Sequence, residues 1–233
     1  MDRIVPASPI SRAEFSRATV ADDGDIRALL RAVPMEGGLK IGFTREPSYF
    51  ACPKPAGLAE HTLVARRGGR LLSVGSWSER EVWLRGEPAC VGYLHGLRMD
   101  PETAGAMKVL RHGYHALAEC LRESKAVGWF TSIAAENTRA RSVLESRASG
   151  LPRYTRLADY LTRVLPVPRR GALSEVARPE SCEELTAFLN REGARHELAL
   201  TWGADRRKAL AECGFGQWAC CVIRRREQIG AAA

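Results

Sequence analysis

The run YLHGLRMDPETAGAMKVLRHGYHAL, from Tyr93 to Leu117, changes its hydrophobic period in the middle. Up to Met99 it has the alternation of a strand. From Ala106 onward Met107, Leu110, Tyr114, Leu117 and Leu121 recur at steps of three and four, the spacing of one helix face. Between the two lies the turn DPETAGA. A strand that passes through a tight turn into a helix N-terminus aims several backbone N–H groups at one point, where the helix dipole also favours an anion. Such a chain needs a sheet for the strand and a core for the helix, and its turn can receive a phosphate without any side chain.

The neighbouring segments supply both. In SRATVADDGDIRALLRAV, Ile26, Leu29, Leu30 and Val33 define an amphipathic helix with Asp22 and Asp23 as N-caps, and a short strand near Phe15 to Val20 precedes it. The Gly- and Pro-rich stretch VPMEGGLKIGFTREPSYFACPKPAG reads as a long loop with a short helix near Pro47 to Phe50. Strands follow around Thr62 to Arg66, Leu71 to Val82 and Ala89 to Met99, with tight turns at Gly68-Gly69 and Gly86-Glu87-Pro88, an antiparallel meander. After the Ala106 helix come a strand in AVGWFTSIA, a helix in ENTRARSVLES that Asn137 or Thr138 can cap, and one or two closing strands in LPRYTRLADYLTRVLPVP. This order predicts a mixed α+β domain with a central, mostly antiparallel twisted sheet flanked by helices, over residues 1–168.

Residues 169–233 repeat part of this pattern. Leu185, Ala187, Phe188 and Leu189 match Ile26, Ala28, Leu29 and Leu30 at a constant offset of 159 residues, and Ser181 with Glu184 forms a capping-box pattern. CVIRRREQIG sits opposite LVARRGGRLLSVG at nearly the same offset. The segment is therefore expected to be an incomplete second unit with a first strand, a helix and the start of a meander. Its alternative is a C-terminal extension, ALAECGFGQWACCVI, that completes the first sheet.

Composition narrows the function classes. The formal charge of +8 favours acidic partners, but the arginines are scattered in pairs and only Arg224 to Arg226 form a run of three, which suits a solvated surface better than a nucleic-acid stripe. Seven cysteines at irregular spacings contain no C-x-x-C pair, so they read as small buried hydrophobes in a reducing compartment, and no metal site is expected. No apolar stretch is long enough to span a bilayer, and the first residues do not resemble a secretory signal. A soluble, cytoplasmic protein is expected.

The words YLHGLRMDPETAG, HGYHAL, TSIAAENTRARSVLE and LPRYTRL, in that order of elements, resemble the GNAT superfamily of acyl-CoA-dependent N-acyltransferases. GGLKIGFTREPSYF resembles the acceptor-side loop of one bacterial subgroup. The resemblance spans about Arg17 to Leu165. It implies that acetyl-CoA or CoA binds as a co-substrate, that Leu97, Arg98 and Met99 contact the pantetheine arm through their main chain, and that Gly105, Ala106, Met107 and Lys108 face the pyrophosphate. It also implies that Asn137 lies near the thiol, with a helix cap as the alternative. The family's turn carries R/Q-x-x-G-x-G/A, and here Ala104, Met107 and Val109 occupy its Arg/Gln, first Gly and last small positions; Lys108 or Arg111 can restore positive charge.

Acyl transfer to an amine needs a base for the ammonium, stabilisation of the oxyanion and a proton for the thiolate. His95 and Glu136 are the candidate bases, with Glu79 and Glu81 as a second pair, and Tyr154 is the candidate acid. Arg45, Tyr49 and Phe50 in the acceptor loop are candidates for substrate binding or for covering the sheet. The expected activity is transfer of an acetyl group to an amine of unknown identity, and a homodimer stays open. The alternatives are a GNAT-fold domain without catalysis and, behind it, a basic nucleic-acid-binding protein.

Overall fold

The structure, a computed structural model, describes residues 12–34, 44–50, 60–159, 161, 176–177, 181–212, 222–225 and 228–232. The chain divides into two compact units that interleave in sequence. The first comprises Met1–Cys52, Glu60–Ser78 and Gly92–Thr155, and the second Pro53–Ala59, Glu79–Val91 and Arg156–Ala233.

A five-stranded sheet has the order β1 (Glu14–Arg17), β2 (Glu60–Arg67), β3 (Arg70–Leu84), β4 (Glu87–Met99) and β5 (Trp129–Phe130). The pairs β1–β2 and β2–β3 are antiparallel, whereas β4–β5 is parallel. The helices of the first unit are α1 (Asp23–Ala32), α2 (Ala106–Cys120) and α3 (Thr138–Glu145). This is the mixed α+β architecture the sequence predicts. The hairpin turn between β2 and β3 falls at Gly68-Gly69 as expected. The next one falls at Arg85-Gly86, with φ of 55° and 80°, so Glu87 and Pro88 already belong to β4.

Two apolar layers hold this sheet. Ile26, Leu29 and Leu30 of α1 pack against Val64, Leu71 and Val74 with Tyr49, and Val33 and Phe50 close the edge of that cluster. Val109 of α2 packs against Ala65 and Leu72, flanked by Phe15 and Met99. The side of α2 that meets the sheet therefore carries Val109, whereas Met107, expected in the apolar stripe, is 36% exposed. The stripe read from spacing is rotated, so that Leu110, Tyr114 and Leu117 are only partly buried while Val109 is buried.

Asp23 ties the acceptor loop to α1. Its carboxylate accepts from Arg27 Nε at 2.6 Å, from Ser48 Oγ at 2.7 Å and from the Tyr49 amide at 2.7 Å. These bonds hold residues 48–50 as a turn, not as the short helix expected near Pro47 to Phe50. The Arg27 hydrogen bond above all, with that from Ser48, pulls the Asp23 carboxyl from its ordinary 3.8 down to about 2. A carboxyl depressed on folding stabilises the protein fully above its unfolded pKa and loses that effect as pH falls through the folded value. Asp23→Asn is accordingly expected to flatten the acid-unfolding curve between about pH 4 and pH 2. An acid limb identical to wild type in circular dichroism would contradict this.

The remaining differences are local. The strand expected near Phe15 to Val20 is β1 followed by a 3-10 turn at Val20–Asp22, because the Asp22 carboxylate accepts from the Thr19 amide at 2.8 Å. In AVGWFTSIA only Trp129 and Phe130 are paired. Residues 152–159 and 161 join no strand, since no sheet edge takes them; the rest of the closing-strand segment, like loop residues 35–43, lies outside the described residues.

The second unit has its own three-stranded sheet of β6 (Val176–Ala177), β7 (Val222–Arg225) and β8 (Gln228–Ala232), with α4 (Cys182–Gly193) and α5 (Ala204–Glu212). Ser181 caps α4, its hydroxyl accepting from the Glu184 amide at 3.0 Å. β7 pairs with β6 and β8, and an isolated antiparallel bridge joins Leu200 to Val82 of β3. Cys90, Cys120 and Cys182 are in no disulfide.

Candidate active site

The site begins where β4 and β5 part. Their pairing consists of Gly92↔Trp129 and Tyr93↔Phe130 and then stops, while β4 continues to Met99. From Leu94 onward the β5-side edge of β4 therefore has no strand partner among the described residues, the kind of sheet edge to which an extended ligand can add. The two strands pack closely just before they part. A Cβ on Gly92 would lie 2.1 Å from the Trp129 ring, so only glycine lets the indole cross β4 there.

At the other end, β4 runs through Asp100 to Gly105 into α2. Gly105 is the N-cap, in the left-handed region at φ 72° and ψ 34°, and no side chain caps the helix. Its carbonyl accepts from the Lys108 and Val109 amides at 2.8 and 3.1 Å, which leaves the amides ahead of them facing outward at the positive end of a helix of 15 residues. Asp100 holds the turn: its carboxylate accepts from the Glu102 amide at 2.9 Å and from Arg70 Nη2 at 2.6 Å. Hydrogen bonding to the Glu102 amide, with help from Arg70, lowers its pKa.

Two further groups at this turn were not singled out by the sequence. Arg67 donates from Nη1 to the Ala104 carbonyl at 3.2 Å, while its buried Nε has no hydrogen-bond partner. The Thr103 hydroxyl is likewise buried without one. The turn thus gathers a guanidinium, an orphaned hydroxyl and an uncapped helix end, which fits a phosphate-bearing ligand. No sequence signal links Arg67 to Ala104, because only the sheet brings them together.

The expected contacts fall out as follows. Leu97 is exposed, and Met99 packs on the α2 side of the sheet. Arg98 donates from Nε to Val33 O at 3.1 Å and from Nη1 to the Leu97 carbonyl at 2.8 Å, so one lone pair of that carbonyl is engaged and a second remains. Burial pushes the pKa of Arg98 down. Ala106 and Met107 are the first two residues of α2, and Met107 and Lys108 are exposed. Val109, at the last small position of the family's turn, points into the core and not at the turn. Its bulk is therefore no obstacle to a phosphate.

His95 stacks on Tyr93, with ring centroids 5.2 Å apart and 16° between planes. Tyr93 in turn contacts the Phe130 ring at 4.9 Å and shares a 2.7 Å hydrogen bond with Ser132 Oγ, which bridges the mouth of the parting strands. Tyr93 is a site residue the sequence reading passed over, although its i, i+2 spacing from His95 on a strand was the signal. Tyr154 shares a 2.8 Å hydrogen bond with the Tyr114 hydroxyl. Burial raises the pKa of both phenols, so each keeps its proton at neutral pH. Asn137 caps α3, its Oδ1 accepting from the Ala140 amide at 3.1 Å, and Glu136 beside it is exposed.

The described acceptor-loop residues pack over the sheet. Tyr49 is buried, its hydroxyl joined to Thr62 Oγ1 at 3.0 Å and Ser76 Oγ at 2.8 Å. Phe50 meets it edge to face at 5.0 Å, and Arg45 lies over the Tyr49 ring while pairing with Glu60 at 2.7 Å. These three residues cover the sheet, the other role their sequence context allowed. Glu79 and Glu81 belong to the second unit, where Glu79 accepts from Cys90 and Glu81 from Thr201. Among the described residues no group of three or more His, Cys, Asp or Glu is placed to hold a metal ion.

No family model and no curated protein matches the chain. Solved structures similar to it include N-acetyltransferases. A ribosomal-protein-alanine N-acetyltransferase from Brucella melitensis biovar Abortus 2308 is 13% identical over 68% of this chain and 100% of its own, with a TM-score of 0.49. An aminoglycoside N-acetyltransferase in complex with CoA is 15% identical over 69% and 100%, at 0.45. Glucosamine-6-phosphate N-acetyltransferase from Arabidopsis thaliana is 13% identical over 65% and 100%, at 0.41.

Proposed function

We propose that the first unit is an acyl-CoA-dependent N-acyltransferase that moves an acetyl group from acetyl-CoA to an amine in the bacterial cytoplasm. The observation that carries this reading is the unpaired edge of β4, which leads from the Tyr93↔Phe130 pair directly into the uncapped end of α2 at Gly105. An extended pantetheine would take the place of the missing strand along Leu97 to Met99, as an added strand does at a sheet edge. The amides of Gly105 to Met107, with the side chains of Lys108 and Arg67 nearby, would receive the pyrophosphate.

In this reading His95, held by Tyr93, takes the proton from the acceptor amine, with Glu136 as the alternative base from the loop before α3. Tyr154 gives its proton to the departing thiolate. A phenol whose pKa is raised by burial stays protonated at neutral pH, and if Tyr114 donates to Tyr154, the Tyr154 O–H is free to point at the sulfur. Asn137 uses its side-chain oxygen to cap α3, so only its amide N–H groups remain for the thiol end.

Release of free thiol from acetyl-CoA in the presence of a panel of primary amines tests the activity. Turnover with at least one amine is expected, and none at millimolar acetyl-CoA would leave a ligand-binding domain without catalysis. Tyr154→Phe is expected to lower kcat by on the order of a hundredfold while the KM for acetyl-CoA stays near wild type, the signature of a lost general acid. An unchanged kcat would remove Tyr154 from the chemistry.

A further inference from the structure

Away from the parting strands, a cavity of about 390 Å³ opens between the start of β1 and the middle of α2, lined by Arg12, Ala13, Phe15, His112 and His115. That volume lies within the range of small-molecule sites. Among the described residues the lining holds a guanidinium and two imidazoles but no acid. His112 and His115 stand at i and i+3 on α2, the first of them one turn beyond the buried Val109, so they share a helix face beside the sheet. Ala13 and Phe15 stand at i and i+2 and both pack against the cluster of Ala65, Leu72 and Val109, which fixes an apolar wall. The Phe15 ring lies close to α2, since an added Cβ on Gly113 would meet it at 3.4 Å. Arg12 and His115 are exposed and His112 is half-buried. None of these three side chains makes a hydrogen bond or an ion pair with another described residue.

The turn at Gly105 is a separate place. A helix rises about 1.5 Å per residue, so His112 and His115 lie roughly 10 and 15 Å along α2 from it. The strand β1 is also at the sheet edge opposite to β5. A guanidinium offers a planar fork to a carboxylate, and each imidazole offers a ring N–H. With nitrogen donors on one side and an aromatic ring on the other, the lining suits an anion with an apolar body better than free phosphate. We propose that Arg12, His112 and His115, with Phe15, form a binding site for a small carboxylate that carries an apolar body, independent of the acyltransferase reading.

Benzoate is the probe, followed in the full chain at constant pH and ionic strength by the ring-nitrogen NMR signals of its five histidines, each assigned by single substitution. The signals of His112 and His115 are expected to move together and to saturate in roughly the millimolar range, the affinity an open site gives so small a ligand. Benzamide, the neutral counterpart, and inorganic phosphate are each expected to bind about tenfold more weakly or worse. Arg12→Gln removes the charge at an exposed position, where the fold does not depend on it, and is expected to weaken benzoate roughly threefold to tenfold. Acetyl-CoA is not expected to displace benzoate. Shifts that do not saturate, benzamide or phosphate that binds as well as benzoate, an Arg12→Gln protein with wild-type affinity, or displacement by acetyl-CoA would each overturn the proposal.

Discussion

Gly92→Ala is expected to destabilise the protein by about 1–3 kcal/mol, the usual cost of forcing extra volume into a packed place, and to abolish measurable acetyl-CoA binding. The added methyl would sit 2.1 Å from the Trp129 ring, far inside any tolerated contact, so either the indole leaves β4 or β5 does. In both cases the apex from which the two strands part is lost. The double variant Gly92→Ala with Trp129→Ala tests the cause, because the two changes touch the same contact and should not add. Urea unfolding of the four proteins of this cycle reads the coupling. Additive losses would show that the Gly92–Trp129 contact does not set the geometry.

The second large effect is a change of sign at Met107. This exposed residue lies in the first turn of α2, where an acidic side chain favours the helix by about 0.3–1 kcal/mol. Met107→Glu is therefore expected to raise Tm slightly while weakening acetyl-CoA by on the order of tenfold to a hundredfold, through repulsion of the pyrophosphate in a partly desolvated setting. Met107→Lys is expected to do the reverse in both measurements, and added salt should shrink the difference. Tm and affinity that move together in the two variants would mean that no anion binds at this helix end.

Much of the first unit is legible in its sequence because local periods and turn residues agree there with the fold. The alternation before Met99, the spacing after Ala106 and the Gly68-Gly69 turn each specify an element without help from distant residues. What escaped reading depends on long-range pairing. Tyr49 looks like a loop aromatic until Thr62 and Ser76 bring their hydroxyls to its own. The alternation in LPRYTRL suits a strand, but a strand also needs a partner edge, and residues 152–159 have none. The departures of Met107 and Val109 from the family's turn read alike in sequence, yet one side chain is exposed beside the turn and the other is buried under the helix. The parting of β4 from β5 was invisible for the same reason, since only the partner's short pairing creates it.

Hydrogen–deuterium exchange of the full chain with and without acetyl-CoA tests the central claim most directly. The account predicts slowed exchange confined to the amides of Leu97 to Met99 and of Gly105 to Met107, the β5-side edge of β4 and the open end of α2. Saturating acetyl-CoA that leaves those two segments unprotected, or protects another part of the chain instead, would contradict it.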